Sequence, residues 1–284
     1  MLVGVRMQAA AILCSYKRPQ NVKSILTALL ASNRFGKIYL CNNNPENLTH
    51  DLLQGLTDTR LQIVEQLKPT GKVSSLWTIC RNDPSEFFFN PDDDMFPTVN
   101  QINYLMDRLA EDPERVHGTE GQIIIGPKQF NIASRHGNKV LPVDILNCIY
   151  AFTKSHVSRF WQILDLLGIS TDKGRLDELG RKGDDIILSV CSSMPAMLHD
   201  LAIRRCASSD SSIAAWKSPG FFEFRTNLLE AYKTVGIHKR WAIQEMFHES
   251  FKGCFIGDAS DSEEVIFTGV GTNPSALEKL ITMT

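Results

Sequence analysis

The sequence predicts an α/β fold: one domain over residues 1–284, with a mostly parallel central sheet flanked by helices. Three observations predict it. Short apolar runs alternate with amphipathic segments across residues 8–100, the pattern of strands joined by crossover helices. Each apolar run ends in a polar cluster. No Pro/Ser/Gly-rich linker, internal repeat or low-complexity run divides the chain.

The elements follow in order. AAAILCSY reads as a buried strand stopping at Lys17-Arg18-Pro19. In QNVKSILTALLAS, Val22, Ile25, Leu26, Leu29 and Leu30 fall at helical spacing, with Asn21 the expected N-cap. KIYLCN is a second strand, closed by the turn cluster NNNPEN. LQIVEQ is a third strand, KVSSLWTICRN a helix and EFFFNP a fourth strand. PTVNQINYLMDRLAED is an amphipathic helix, QIIIGPKQF a strand and turn, and KVLPVDILNCIYAFTK one or two strands. HVSRFWQILDLL and GDDIILSVCSSM have helical spacing, while CASSDSSIAAWKSPGFFEF reads as a loop.

Composition narrows the function. The 284 residues are 43% hydrophobic and 22% charged, which fits a globular protein rather than a disordered one. A formal net charge of -2 gives no basic excess, so nucleic acid is not an expected partner. The seven cysteines are scattered without a C-x-x-C pair, which argues against a disulfide framework or zinc knuckle. The opening MLVGVRMQAAAILC runs into a patterned strand without a charged leader or cleavage site, so no signal peptide is expected. No apolar run approaches the ~20 residues of a membrane span. The expectation is a cytoplasmic protein that reaches any membrane-linked substrate from the periphery.

In open α/β sheets ligands bind beyond the carboxyl ends of the strands. Here those ends are SYKRP, CNNNPEN, LKPTGK and NPDDDM. They combine hydrogen-bonding groups for a nucleoside, cations for phosphate and carboxylates for a divalent metal. Asp92, Asp93 and Asp94 form the metal motif. Their spacing also fits a solvated acidic turn, but Asp92 and Asp94 can share a side of an extended segment, and hard cations such as Mn²⁺ or Mg²⁺ favour such oxygens. Asp94 is the expected direct metal ligand. Asp92 stands beside it, and Asp92 and Asp93 lie nearer the ribose. Asp184 and Asp185 open a helix, where acids also offset the dipole; a transferase needs such a carboxylate as a base or to steady a cationic sugar. Arg18, Lys72 and His238-Lys239-Arg240 are the candidate cations for a leaving diphosphate. His117 and Glu120 in HGTEGQ, and Arg135 and His136 in SRHGNK, read as loops rather than metal sites. TGKVSS lacks the G-x-x-x-x-G-K-[ST] frame, which excludes P-loop chemistry.

AILCSYKRPQNVKSILTALLAS followed by KIYLCNNNPEN, DDD and GDDIILS resembles nucleotide-sugar glycosyltransferases of the GT-A fold, most closely the exostosin-like branch. The resemblance covers roughly residues 8–200. It implies a single Rossmann-like domain, with residues 8–100 binding the nucleotide and 101–284 the acceptor. It further implies a Mn²⁺-dependent UDP-sugar donor, a glycan or glycoconjugate acceptor and retention of anomeric configuration. Carried over, it places Ser15, Tyr16, Arg18 and Asn43 at the nucleoside, Asp92 to Asp94 at ribose and metal, and Asp185 at the sugar. One departure is plain: where the family has an asparagine and arginine cluster, this chain has GKVSSLW, with Lys72 its one basic residue. Three alternatives remain open at this level. They are an inverting enzyme with Asp185 as base, a sugar nucleotidyltransferase, and a non-catalytic nucleotide-binding module. SYKRPQN has no glycine, which counts against the nucleotidyltransferase.

Overall fold

The first strand, β1 (Ala9–Ser15), is buried along its length because both of its faces are apolar. Ala9, Ala11 and Leu13 enter one core; Ala10, Ile12 and Cys14 enter the other. Strand β1 is an interior strand of a computed structural model that describes residues 9–53, 55–125, 128–134, 139–192, 194–206, 215–235, 241, 254–258 and 264–266.

Helix α1 (Pro19–Ala31) follows, with Pro19 at its first turn, where a missing N–H costs nothing. Arg18, not the expected Asn21, is the capping residue. Asn21 lies within the helix, and its amide donates to the Asp93 carbonyl at 2.9 Å. Next come β2 (Phe35–Asn42), α2 (Thr49–Leu53) and β3 (Leu61–Glu65). The predicted helix after β3 exists, but it begins as a π-helical turn, Val73–Trp77, before α3 (Thr78–Asn82). In β4 (Phe87–Asn90), Phe88 and Phe89 point into opposite cores. β5 (Met95–Phe96) precedes α4 (Val99–Glu111), which Thr98 and Gln101 start with a reciprocal capping box.

The second half holds β6 (His117–Ile125), β7 (Lys128–Ser134), β8 (Val140–Val143), β9 (Ile145–Thr153), α5 (Lys154–Leu166), α6 (Lys173–Lys182) and α7 (Asp184–Val190). Then follow β10 (Ala196–His199), β11 (Arg204–Arg205), α8 (Phe221–Thr234), β12 (Cys254–Asp258) and β13 (Glu264–Ile266). HGTEGQ, expected as a loop, is the start of β6: pairing with β9 buries the segment almost continuously, and its two glycines allow the close approach of the two strands. His117 pairs there with His199 at 2.9 Å. Of the expected loop CASSDSSIAAWKSPGFFEF, residues 207–214 lie outside the described residues, as do Arg135 and His136; Ala215–Lys217 forms a short 3₁₀ turn and α8 starts at Phe221.

The α/β class, the central sheet and its flanking helices are as expected. The sheet order is β13-β12-β7-β6-β9-β4-β1-β2-β3, with β10 beside β6 and β8. Strands β4, β1, β2 and β3 pair in parallel in the Rossmann-like order. From β9 outward the pairs are antiparallel, except β10 with β6. Strands β5 and β11 form a separate ribbon. Helices α1 and α4 cover one face through Ile25, Leu26, Ile102 and Leu105. Trp77, Phe160, Ile186 and Ile187 fill the other, where Trp77 stacks on Phe160 at 4.1 Å between ring centroids. Among the described residues no helix is long and apolar enough to cross a membrane.

Where the sheet changes from parallel to antiparallel the backbone tightens. Buried Ile149 on β9 has φ 45°, a left-handed conformation that β-branched residues rarely adopt. Gly118 on β6 faces it so closely that a Cβ would stand 2.5 Å from the Ile149 carbonyl oxygen. The neighbouring residue, Tyr150, forms part of the site described next.

Candidate active site

The carboxyl ends of the parallel strands hold polar groups without partners. Ser15 Oγ, Asn43 Oδ1, Asn90 Oδ1 and Arg18 Nε are buried and lack a hydrogen-bond partner among the described residues. Leaving one such group unsatisfied costs about 1–3 kcal/mol, so four at one sheet edge mark a place built to receive something polar. The surrounding turns are fixed. Asn47 Nδ2 donates to the Tyr16 carbonyl at 3.0 Å, and Asn42 Nδ2 donates to the Asn47 carbonyl at 2.9 Å, so the asparagine-proline turn is tied to the end of β1.

The three aspartates leave β4 beside this edge, and each meets a cation. Arg18 donates to Asp93 Oδ1 at 2.8 Å and approaches Asp94 Oδ2 at 3.4 Å. The Tyr16 N–H donates to the second oxygen of Asp93 at 3.3 Å. Asp93 is therefore spent on holding the end of β1 to the aspartate turn. Asp92 accepts from Lys72 Nζ at 2.5 Å. Asp92 and Asp94 keep 20% and 24% of their side chains exposed, so both still reach a ligand. Burial raises the Asp94 pKa, the neighbouring Asp92 raises it further, and Arg18 opposes both.

Lys72 joins the two acidic motifs. Burial works against its charge, but Asp92 and Asp184 outweigh that and hold it protonated. Its ammonium lies 5.8 Å from the Tyr150 ring centroid. Two glycines place it. A Cβ on Gly71 would stand 2.6 Å from the Asp177 carbonyl oxygen, and one on Gly180 would stand 2.8 Å from the Lys72 backbone nitrogen. The Gly71 N–H also donates to Asp177 Oδ1 at 2.7 Å. The glycine of TGKV is thus a close-packing residue against α6, not part of a phosphate loop. The π-helical turn then presents Trp77 to Asp184.

Asp184 and Asp185 have different surroundings. Asp184 Oδ2 accepts from Trp77 Nε1 at 3.0 Å. Its carboxyl is pushed up to about 6 by burial, with Lys72 opposing and Asp185 adding to the rise. Asp185 has both oxygens on Arg225 Nη1, each at 2.8 Å. Arg225 is itself buried and also donates to Gln129 and Gln122. Asp185 therefore anchors α8 to α7, and Asp184 is the member of the pair whose proton is poised near neutrality.

The structure thus brings Ser15, Tyr16, Arg18, Asn43, Lys72, Asp92, Asp93, Asp94, Asp184 and Asp185 to one edge or its border. His238, Lys239 and Arg240 lie outside the described residues. Residues not singled out from the sequence join the site: Trp77, Tyr150 and Arg225, with Arg205 beside Asp94 and paired with Glu120, which the sequence suggests as a loop residue. Arg225 is distant from Asp185 in sequence, and a lone arginine within FFEFRTNLL carries no pattern. Glu120 reads as a loop residue because Gly118 and Gly121 bracket it in HGTEGQ.

The fit to a divalent ion follows from the donor set. Asp92 and Asp94 are two hard, partly exposed carboxylates whose mutual repulsion such an ion would relieve. Among the described residues no group of three His, Cys, Asp or Glu side chains is arranged to hold a metal. The residues therefore fit an ion shared with ligand phosphates and waters, and not one held by the protein alone.

No protein-family model and no curated protein matches the sequence. Solved structures overlap loosely. The chain is similar to 4-diphosphocytidyl-2C-methyl-D-erythritol synthase from Anaerococcus prevotii, with TM-score 0.43, 14% identity, and coverage of 78% of this chain and 96% of that one. It is similar to CMP:2-keto-3-deoxy-manno-octonic acid synthetase complexed with CTP, with TM-score 0.40, 12% identity, and coverage of 61% and 86%. It is also similar to S. aureus TarS 1–349, with TM-score 0.47, 11% identity, and coverage of 69% and 58%. Overlaps this loose assign no activity.

Proposed function

We propose that the protein is a metal-dependent glycosyltransferase of GT-A type. It would move a sugar from a nucleotide-diphosphate donor, UDP-sugar in the first instance, to a hydroxyl of a glycan or glycoconjugate. One observation carries this reading: a single sheet edge gathers unpartnered nucleoside-type groups, the aspartate run and a carboxylate poised near neutrality. Ser15, Tyr16 and Asn43 would take the nucleoside, with Asp93 fixing the end of β1 that carries them. Asp92 and Asp94 would hold Mn²⁺ or Mg²⁺. When bound, that ion supplies charge stabilisation to the departing diphosphate. Arg18 and Lys72 add fixed positive charge there, in a partly desolvated site where it counts most.

Asp184 is the reacting-side carboxylate in this account, and Asp185 its anchor through Arg225. A group with a pKa of about 6 is ionised in most molecules at pH 7 and can take a proton from an acceptor hydroxyl. Ionised, it also steadies positive charge on the sugar. The resemblance favours retention, and proton NMR of the product anomer decides between the outcomes.

The test is release of UDP from a panel of UDP-sugars with Mn²⁺, with and without simple glycoside acceptors. The reading predicts release that stops on metal chelation and falls by about a thousandfold in Asp184→Asn, the scale of losing a catalytic acid–base group. If instead a nucleoside triphosphate and a sugar phosphate react with release of pyrophosphate, the protein is a nucleotidyltransferase and the reading is replaced.

A further inference from the structure

We propose that Glu120 and Arg205 form the donor-sugar subsite and select an uncharged sugar over a uronic acid. This rests on the glycosyltransferase reading and says which sugars the site accepts. Strand order sets the layout of the site. Along the ligand edge the strands run β2, β1, β4, β9, β6. The nucleoside-type groups end β1 and β2, and the aspartates follow β4. The next strands bring Cys148 on β9 and its register partner Glu120 on β6. A nucleotide-diphosphate sugar is laid out in the same order, as nucleoside, diphosphate and sugar. With its nucleoside on β1 and β2 and its phosphates at Asp92 and Asp94, its sugar reaches Glu120.

Arg205 comes to the same place by a separate route. The β11–β5 ribbon sets Arg205 opposite Met95, immediately after the aspartate run. The Cys206 N–H donates to the Asp94 carbonyl at 2.8 Å, so the backbone beside Arg205 is pinned to the metal motif. The guanidinium is ion-paired with Glu120 and lies 3.6 Å from Cys148 Sγ. Cys148 Sγ in turn lies 3.7 Å from Glu120 Oε2. The backbone is fixed, yet the side chains of Arg205 and Glu120 are 49% and 39% exposed. They are held in position and open to a ligand.

The chemistry sets the class of sugar. A carboxylate and a guanidinium side by side offer acceptors and donors to neighbouring hydroxyls. Their charges cancel, and the next carboxylates along the edge, Asp92 and Asp94, are themselves paired with Lys72 and Arg18. A uronate carboxylate would have to share Arg205 with Glu120 and meet the Glu120 charge, whereas neutral hydroxyls satisfy both partners. Discrimination here comes from repulsion as much as from attraction.

The experiment is calorimetric binding, with Mn²⁺, of UDP, UDP-glucose, UDP-galactose, UDP-N-acetylglucosamine and UDP-glucuronate. It compares wild type, Glu120→Gln and Arg205→Gln. Wild type should bind its best neutral donor at least about tenfold more tightly than UDP-glucuronate. Glu120→Gln, with Arg205 released from its partner, should shift that ratio by about tenfold towards UDP-glucuronate. Arg205→Gln should weaken the neutral donors and leave UDP unchanged. Equal UDP affinity in all three proteins also shows that the variants are folded. An unchanged ratio in Glu120→Gln, or a loss confined to UDP itself, would overturn the proposal. Wild type that binds neither UDP nor GDP, CDP, ADP or TDP would instead remove the glycosyltransferase reading on which it rests.

Discussion

At the amino ends of the parallel strands Asp83 accepts from Lys37 Nζ at 2.8 Å, from Tyr39 at 2.7 Å and from the Ser85 N–H at 2.8 Å. Burial would raise its pKa, but the donors from Lys37, Ser85 and Tyr39 outweigh it and hold the carboxyl at about 2. At the carboxyl ends Asp184 is pushed the other way, to about 6, and buried polar atoms stand without partners. The same strands carry both ends. At the amino ends the groups around Asp83 are paired for stability, and at the carboxyl ends Ser15, Asn43 and Asn90 keep side-chain oxygens without partners. That contrast is what separates a structural edge from a binding edge, because the fold bears unsatisfied groups where a ligand is to complete them.

Three variants sharpen the contrast, in falling order of effect. Arg225→Met removes the buried partner of Asp185 and should cost about 3–5 kcal/mol in urea unfolding, since a largely enclosed carboxylate is left uncompensated. A cost below about 1 kcal/mol would show that Asp185 is not anchored as described. Asp83→Ala should cost roughly 2–4 kcal/mol by stranding the donors of Tyr39 and Ser85. It should leave UDP binding intact, because it acts at the opposite edge. Asp184→Asn should do the reverse and stabilise the protein at pH 7–8, by on the order of 1–2 kcal/mol.

The pH dependence of the two carboxylates follows from their shifts. Asp184 has a higher pKa folded than unfolded, so its contribution is present below the ordinary value of 3.8 and is lost as pH rises through about 6. Asp83 has a lower pKa folded than unfolded, so its contribution is present above 3.8 and is lost as pH falls through about 2. Thermal midpoints from pH 2 to 8 should show the upper arm flattened in Asp184→Asn and the lower arm flattened in Asp83→Ala. The same arms in both variants would contradict the assignment.

The parallel strands were legible in the sequence because β1 and β4 are apolar on both faces and all four stop at a polar turn. FFFN shows this: Phe88 and Phe89 serve two cores, and the aspartates emerge where it ends. The antiparallel half was less legible. HGTEGQ reads as loop because Gly118 and Gly121 are there for close approach to β9, not for a turn. Of the site, the acidic motifs were visible as local runs. Their partners were not, since Arg225 and Arg205 are joined to Asp185 and Glu120 only by the fold. The sequence also could not distinguish Asp184 from Asp185, because neighbouring residues at a helix start acquire their separate roles from Trp77 and Arg225.

The central claim is that the carboxyl edge binds a nucleotide diphosphate together with a divalent ion. Thermal unfolding with UDP and Mn²⁺ tests it most directly. At ligand near a hundredfold its Kd, wild type should gain roughly 5–10 °C. The gain should vanish with a chelator and in Asp94→Ala, and persist in Asp83→Ala. No gain in wild type, or an undiminished gain in Asp94→Ala, would contradict the claim.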